Sequence, residues 1–252
     1  MSTALVMAGG QSSRMRKSFG VDHKSLVRVA DHSLMDRNIA HLLHYGFEKI
    51  YIALNADETK LLEYVEDCVR PGISKRGAES ECLIETEPLG TIGVAGQIPG
   101  EEPVVVVNVD NLSTIDLRAM LDYHVSRNAD LTIAVHEEEF QIPFGQLTVD
   151  GDQRITEYTE KPIIPIPISS GTCVLGKAAR ESIPANSRVD INHLFDSLNV
   201  SRRLIVAYRH NDLWIDVNDA QAVQKANQLV EQNRNRFNFA LNENTPPANP
   251  QK

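Results

Sequence analysis

Residues 3–24 read TALVMAGGQSSRMRKSFGVDHK, and the fold is decided at the start of this stretch. Ala4-Leu5-Val6-Met7 is a short apolar run that stops at Ala8-Gly9-Gly10. A bounded run of this kind reads as a buried strand, and paired glycines read as a turn where backbone passes close to something bulky. Peptide N–H groups left unpaired at such a turn converge on one spot and suit phosphate oxygens. Arg14, as a planar fork, and Lys24, as a point charge, would add two cations there. Taken alone, the loop reads equally well as a strand turn with surface cations. It is neither a Walker loop, since no Gly-Lys-Ser/Thr follows, nor a GxGxxG turn.

Working outward, strand and helix signals alternate. Asp31 to Gly46 reads as a helix opened by Ser33 and Asp36, a pair resembling a capping box. His41 and His44, one turn apart in it, read as a solvated face rather than as metal ligands. Lys49 to Leu54 reads as a strand, Glu58 to Cys68 as a helix and Cys82 to Glu85 as a short strand. Pro103 to Val109, PVVVVNV, is an uninterrupted apolar run, as expected of a central parallel strand covered on both faces. A helix over Asp116 to Asn128 and a strand over Asp130 to His136 follow. The alternation predicts an α/β fold, a Rossmann-like, doubly wound, mostly parallel sheet with right-handed crossovers. Such sheets bind ligands at the carboxyl ends of their strands, where both Ala8-Gly9-Gly10 and Asp110 fall.

From Gln146 the texture changes. Gln146 to Val149 and Arg154 to Tyr158 flank Asp150-Gly151-Asp152 as a hairpin, and a proline-broken stretch runs from Ile163 to Ile168. Short strands are expected at Gly171 to Leu175, Leu204 to Tyr208 and Leu213 to Asp216, and a helix at Val189 to Leu198. Asn218 reads as the N-cap of an amphipathic helix reaching about Arg234. The expected organisation is one domain over 1–234, with a first part to about 136 and a second part from 137 that carries a small antiparallel insertion. A flexible polar tail is expected over 235–252.

Composition narrows the partners. With 42% apolar residues in 252, the chain has enough for a packed core. A formal charge of -9 argues against a general nucleic-acid binder. Cys68, Cys82 and Cys173 form no disulfide or zinc pattern, which fits a reducing cytoplasm. No signal-peptide pattern and no bilayer-length apolar run is expected to act, so no membrane partner is inferred. Homo-oligomerisation stays open.

Two acids follow apolar strand residues, Asp110 after VVVVNV and Asp216 after LWI. A carboxylate at the end of a buried strand is costly unless something positive meets it, and magnesium (Mg2+) is one natural partner. The alternative is that each acid caps the next helix or pairs with a lysine. Beside a phosphate-type loop, the two together point to metal-assisted phosphoryl transfer.

These residues form a recognisable pattern. AGGQSSRM with Lys24, ETEPLGTIG from Glu85 to Gly93, and NVDNLSTID from Asn108 to Asp116 are followed in order by three further segments. Those are FGQLTVDGDQRITEYTEKP from Phe144, SSGTCVL from Ser169, and WIDVNDAQAVQKAN from Trp214. From Thr3 to about Asn227 the chain resembles the sugar-1-phosphate nucleotidyltransferases, or NDP-sugar pyrophosphorylases, in their guanylyltransferase-like branch. The first segment alone also resembles molybdenum-cofactor guanylyltransferases; the EPLGT, EKP and W-x-D segments are more specific.

The resemblance implies that a nucleoside triphosphate and a sugar 1-phosphate give an NDP-sugar and pyrophosphate, by in-line attack on the α-phosphorus. It implies a triphosphate held by Ala8, Gly9, Gly10 and Arg14, with Lys24 on phosphate, and Mg2+ on Asp110 and Asp216. It places Lys161 on the sugar phosphate and Gly145, Glu160 and Ser169 around the sugar. It places Glu85, Pro88, Leu89, Gly90 and Thr91 around the nucleobase, with Gly90 giving backbone contact and Leu89 against the ring. Glu85 stands where thymidylyl and uridylyl members commonly have glutamine. A carboxylate accepts both adjacent donors of guanine, N1–H and the N2 amino group, so GTP is expected first and CTP second.

The chain departs from the family pattern at four places. His23-Lys24 replaces Pro-Lys, predicting a less rigid backbone, and Val109 replaces a glycine, predicting bulk near the metal. Ser169-Ser170-Gly171 replaces Asn-x-Gly, and Thr172-Cys173 replaces Ile-Tyr. These departures leave open a non-sugar phosphate acceptor, or a regulatory paralogue without turnover.

Overall fold

The computed structural model describes residues 1–10 and 23–239. Strand β1 (Thr3–Met7) carries the opening apolar run, and a tight hairpin of β2 (Arg28–Val29) and β3 (His32–Ser33) follows. Helix α1 (Leu34–His44) begins three residues later than the sequence suggested, because Ala30 and Asp31 take positive φ (44° and 69°) to turn that hairpin. Its cap is as expected: the Ser33 Oγ accepts from the Asp36 N–H at 3.0 Å. Strand β4 (Lys49–Asn55) leads to α2 (Thr59–Tyr64), a π-helical turn over Val65–Val69 and α3 (Arg70–Lys75). The helical run thus passes the expected stop at Cys68; Pro71 sits in the first turn of α3, where its missing N–H is tolerated.

Strand β5 (Glu79–Glu85), β6 (Val104–Asn108) and the short β7 (Asn111–Ser113) precede α4 (Leu117–Arg127), which Asp116 caps. Strand β8 (Leu131–Gln141) is followed by the hairpin of β9 (Gln146–Val149) and β10 (Ile155–Thr159). Strand β11 (Ile163–Leu175) then absorbs the whole proline-broken stretch. Pro165 and Pro167 lie two apart and pair across from Glu139 and Glu137 of β8. With a period of two, both missing N–H groups face the side away from β8, so the ladder survives. Helices α5 (Lys177–Glu181) and α6 (Ile191–Val200), strands β12 (Ile205–Arg209) and β13 (Trp214–Asp216), and helix α7 (Ala220–Gln232) complete the chain. The cap of α7 is Asp219, not Asn218: its carboxylate accepts from the Ala222 N–H at 2.8 Å.

The central sheet has seven strands in the order β12-β8-β11-β6-β1-β4-β5. It is parallel except for β11, which runs antiparallel to both neighbours. Alternate residues of the strands feed opposite cores, which is why the buried strands read as unbroken apolar runs. Ala4, Val6, Val105 and Val107 pack with α1, the α2–α3 run and α4. Leu5, Met7 and Val106 face the other way, against Leu89, Ile92, α5 and α6. A third cluster joins Val29 and Leu34 to Leu112 and α7, and it includes Phe237 and Phe239. Packed chain therefore continues past residue 234, where a polar tail was drawn. No helix among the described residues is long and apolar enough to cross a membrane.

Candidate active site

The carboxyl ends of β1 and β6 lie side by side, with Met7 in register with Asn108. There the Lys24 ammonium donates to Asp110 Oδ2 at 2.6 Å, and both side chains are 21% exposed. The lysine lies along Gly10, within 3.6 Å of where a Cβ would stand. Its neighbour His23 is buried, and the ring does what a proline was expected to do. Nδ1 accepts from the Ser25 N–H at 3.1 Å, so Nε2 carries the proton and donates to the Gly10 carbonyl at 3.1 Å. The segment is thereby held to the glycine turn by hydrogen bonds, correcting the expectation of a looser backbone. Arg14 lies outside the described residues.

Asp216 arrives from the far end of the chain. Strand β13 pairs antiparallel with β7, setting Asp216 opposite Asn111, and the Val217 N–H donates to the Asp110 carbonyl at 2.8 Å. The two acids thus sit at neighbouring strand ends. Neither caps a helix, since Asp116 and Asp219 do that. Asp110 does pair with a lysine, but it is the lysine of the first loop. Asp216 Oδ2 accepts from the Asn218 amide at 2.8 Å. Carboxylate oxygens are the donors a hard dication takes, and the two adjoining strands bring one each to neighbouring ends. Val109 does not crowd them: it is fully buried in the core beneath, with Val107 and Ile115.

Glu85 ends β5 and is 3% exposed, so it does not point to solvent. Oε2 accepts from the Leu89 N–H at 2.9 Å. Oε1 has no hydrogen-bond partner among the described residues, and it lies against Gly9, where a Cβ would overlap it. Burial raises its pKa above the ordinary carboxylate range, and the Leu89 N–H partly offsets this. Leu89 itself is turned into the core, 8% exposed, which leaves its side chain packed on Ile92 and Val189 rather than open to a ring. Gly90 has φ +82° and presses on the Val189 carbonyl, and the Thr91 N–H donates to Asp190 Oδ1 at 2.8 Å. Pro88 and Thr91 are exposed.

Beside Ser169, a cavity of about 90 Å³ opens between β6, β8 and β11 and the loop at Thr91. Ser169, Gly171, Thr172 and Asn108 give it polar groups, and Ile133 and Cys173 help make the rest apolar. The Cys173 thiol is pushed up to about 12 by complete burial and stays protonated. Gly145, Glu160 and Lys161 stand together at the insertion, all exposed. The space beside Gly145 holds the Tyr158 phenol, which donates to Glu160 Oε2 at 2.8 Å. Strand β11 links this unit to the cavity. Ser170, His136 and His210, packed behind Ser169, were not anticipated as site residues. The signal was there, because His136 ends one predicted strand and His210 follows another by two residues.

Comparison with known proteins places this geometry. The family model described as nucleotidyl transferase matches residues 3–233. Mannose-1-phosphate guanylyltransferase 1 of Arabidopsis thaliana is 26% identical over 71% of this chain and 51% of its own length. D-glycero-alpha-D-manno-heptose 1-phosphate guanylyltransferase of Aneurinibacillus thermoaerophilus is 28% identical over 63% of this chain and 67% of its own. The crystal structure of HddC from Yersinia pseudotuberculosis complexed with GMP-PN superposes with a TM-score of 0.68. At 22% identity, it covers 91% of this chain and 99% of that one, and the likeness is one of fold. The chain spans about half the length of the Arabidopsis relative.

Proposed function

We propose, from the premise that this chain belongs to the nucleotidyl transferase family, that it transfers a guanylyl group from GTP to a sugar 1-phosphate and releases pyrophosphate. The observation that carries the reading is the meeting of Gly10, Lys24 and Asp110 at one strand-end cleft, with Asp216 on the adjoining strand. That is where two phosphates would have to meet.

In this reading the Gly9-Gly10 turn, Lys24 and Arg14 hold the triphosphate. The acceptor's phosphate oxygen attacks the α-phosphorus, and the bond to pyrophosphate breaks in line. The chain's part is to position the two anions and screen their repulsion, so no general base is required. Asp110 and Asp216 would hold Mg2+, which when bound would neutralise charge on the α-phosphate. Lys24 would then move from Asp110 to phosphate. Lys161, Glu160, Gly145 and Ser169 belong to the acceptor, and Thr91 and Pro88 border the nucleotide. Glu85 is read with GTP in this proposal: Oε2 already accepts from Leu89, and Oε1, unpartnered against Gly9, would take one donor of guanine once the turn gives access.

The test is magnesium-dependent pyrophosphate release with GTP, CTP, UTP and dTTP against mannose 1-phosphate and a panel of other sugar phosphates. GTP should lead, and Asp110→Asn and Lys24→Ala should each slow turnover by about a hundredfold or more while leaving the folded fraction intact. A dTTP or UTP preference would refute the guanine assignment. Unchanged rates in both variants would refute the cleft.

A further inference from the structure

Strand β11 does not run straight past the acceptor cavity. It pairs with β8 as far as Ser169 opposite Val135, and pairing resumes at Cys173 opposite Ile133. Between those pairs, three residues on β11 stand against one on β8, a bulge made of Ser170-Gly171-Thr172. Gly171 takes φ +68° there, and a side chain on it would overlap the Asn111 amide. A bulge bends the strand and re-aims its side chains, here turning Ser169, Gly171 and Thr172 to the cavity wall. Residues lifted out of a ladder need other partners for their polar groups.

Ser170 supplies them. It is fully buried, and its carbonyl accepts from the Asn111 amide at 2.9 Å and the Trp214 indole at 2.7 Å. Its hydroxyl lies 2.8 Å from His136 Nδ1 and 2.7 Å from His210 Nε2. One arrangement of protons satisfies every group. His136 Nε2 is 3.1 Å from Glu138 Oε1, an acceptor only, so Nε2 carries the proton and Nδ1 is bare. The serine hydroxyl must then donate to His136 Nδ1, and its oxygen must accept from His210 Nε2–H. His210 Nδ1, left bare, accepts from the Asp212 N–H at 3.3 Å. In this arrangement the chain of donors runs one way through the serine.

We infer that Ser170, with His136 and His210, is a positioning residue of the acceptor cavity: this relay holds the β11 bulge in the shape that forms the cavity wall. The inference rests on the acceptor reading above. The relay also ties that wall to β7 and β13, the strands beside Asp110 and Asp216, through Asn111 and Trp214. The charged groups around it are Glu138 on β8, at His136, and Asp212, whose carboxylate is 4.0 Å from His210 and 2.9 Å from Arg236. A proton added to His210 Nδ1 would meet the Asp212 N–H while the Nε2–H bond to Ser170 stayed in place; burial lowers the pKa of the ring, against the pull of Asp212.

The experiment compares the full chain with Ser170→Ala, which loses both hydroxyl bonds and keeps the backbone. With GTP and mannose 1-phosphate, the variant's KM for the sugar phosphate should rise about tenfold, with KM for GTP unchanged. A merely destabilised variant would not raise one KM and spare the other. Amide hydrogen exchange on the unliganded proteins should show residues 170–172 losing protection in the variant ahead of the rest of the sheet. Equal changes in both KM values, or unchanged exchange at the bulge, would overturn the inference. A wild-type chain that turns over no sugar phosphate would instead sink the proposed function, and the exchange readout would still decide whether the relay holds the bulge.

Discussion

Glu85 is the residue on which the proposed preference for GTP rests. A carboxylate 3% exposed with one oxygen unpartnered is held against its desolvation, and the raised pKa is the sign of it. The stability consequence follows from linkage. Between the unfolded carboxyl pKa and the higher folded one, the folded chain holds more proton than the unfolded chain, so stability falls as pH rises through that window. Glu85→Gln removes the titration and keeps the Leu89 contact. Urea titrations from pH 4 to 8 without nucleotide should therefore show the variant gaining on the wild type as pH rises. In turnover the same change should lower kcat/KM for GTP by about 10–100-fold, the scale of a lost hydrogen bond to a charged acceptor, with less effect on dTTP. A variant still as selective for GTP would detach Glu85 from the base.

At the scale of elements, the loop after β5 is clamped to the segment that leads into α6. The Val189 N–H donates to the Leu89 carbonyl at 2.9 Å and the Ile92 N–H to the Val189 carbonyl at 3.1 Å, while Asp190 receives Thr91. Gly90 makes the clamp closable: at φ +82°, a Cβ would stand 2.6 Å from the Val189 carbonyl oxygen. Gly90→Ala should cost about 1–3 kcal/mol by urea unfolding, from the left-handed strain together with the contact. Much of this level was legible in the sequence. The unbroken PVVVVNV run did become the central β6, and the Ser33 cap did start α1, because both depend on local pattern. What was not legible depends on partners distant in sequence. Pro165 and Pro167 read as a break until β8 is seen to pair with only one side of β11. Leu89 read as a ring contact until the core beneath it is in place. The serine between two histidines acquires meaning only once β8, β11 and the segment after β12 are brought together.

For the whole molecule, closure depends on His41, a residue that reads as half of a solvated helix face. It is buried where three parts of the chain meet. Nε2 donates to the Ile115 carbonyl at 2.9 Å, and the ring stacks on Phe239 with centroids 4.5 Å apart and planes within 20°. Phe239 in turn sits in the cluster that seats α7 on β7 and β13, so the C-terminal packing and the strand carrying Asp216 share one support. Burial drives the His41 pKa down to about 4. Because the folded pKa lies below the unfolded value, the unfolded chain takes up the proton first as pH falls. The stabilisation is complete above the ordinary imidazole range and is lost as pH drops toward 4, by roughly 3 kcal/mol at most. Carboxylates titrate over part of the same range, so the decisive quantity is a difference between proteins. His41→Gln keeps a donor for Ile115 and cannot charge. It should be less stable than the wild type at pH 7, where the stack on Phe239 is lost, and the gap should close or reverse by pH 4. A gap constant across that range would mean that the imidazole titrates alike in the folded and the unfolded chain, and that acid sensitivity of the C-terminal packing has another origin.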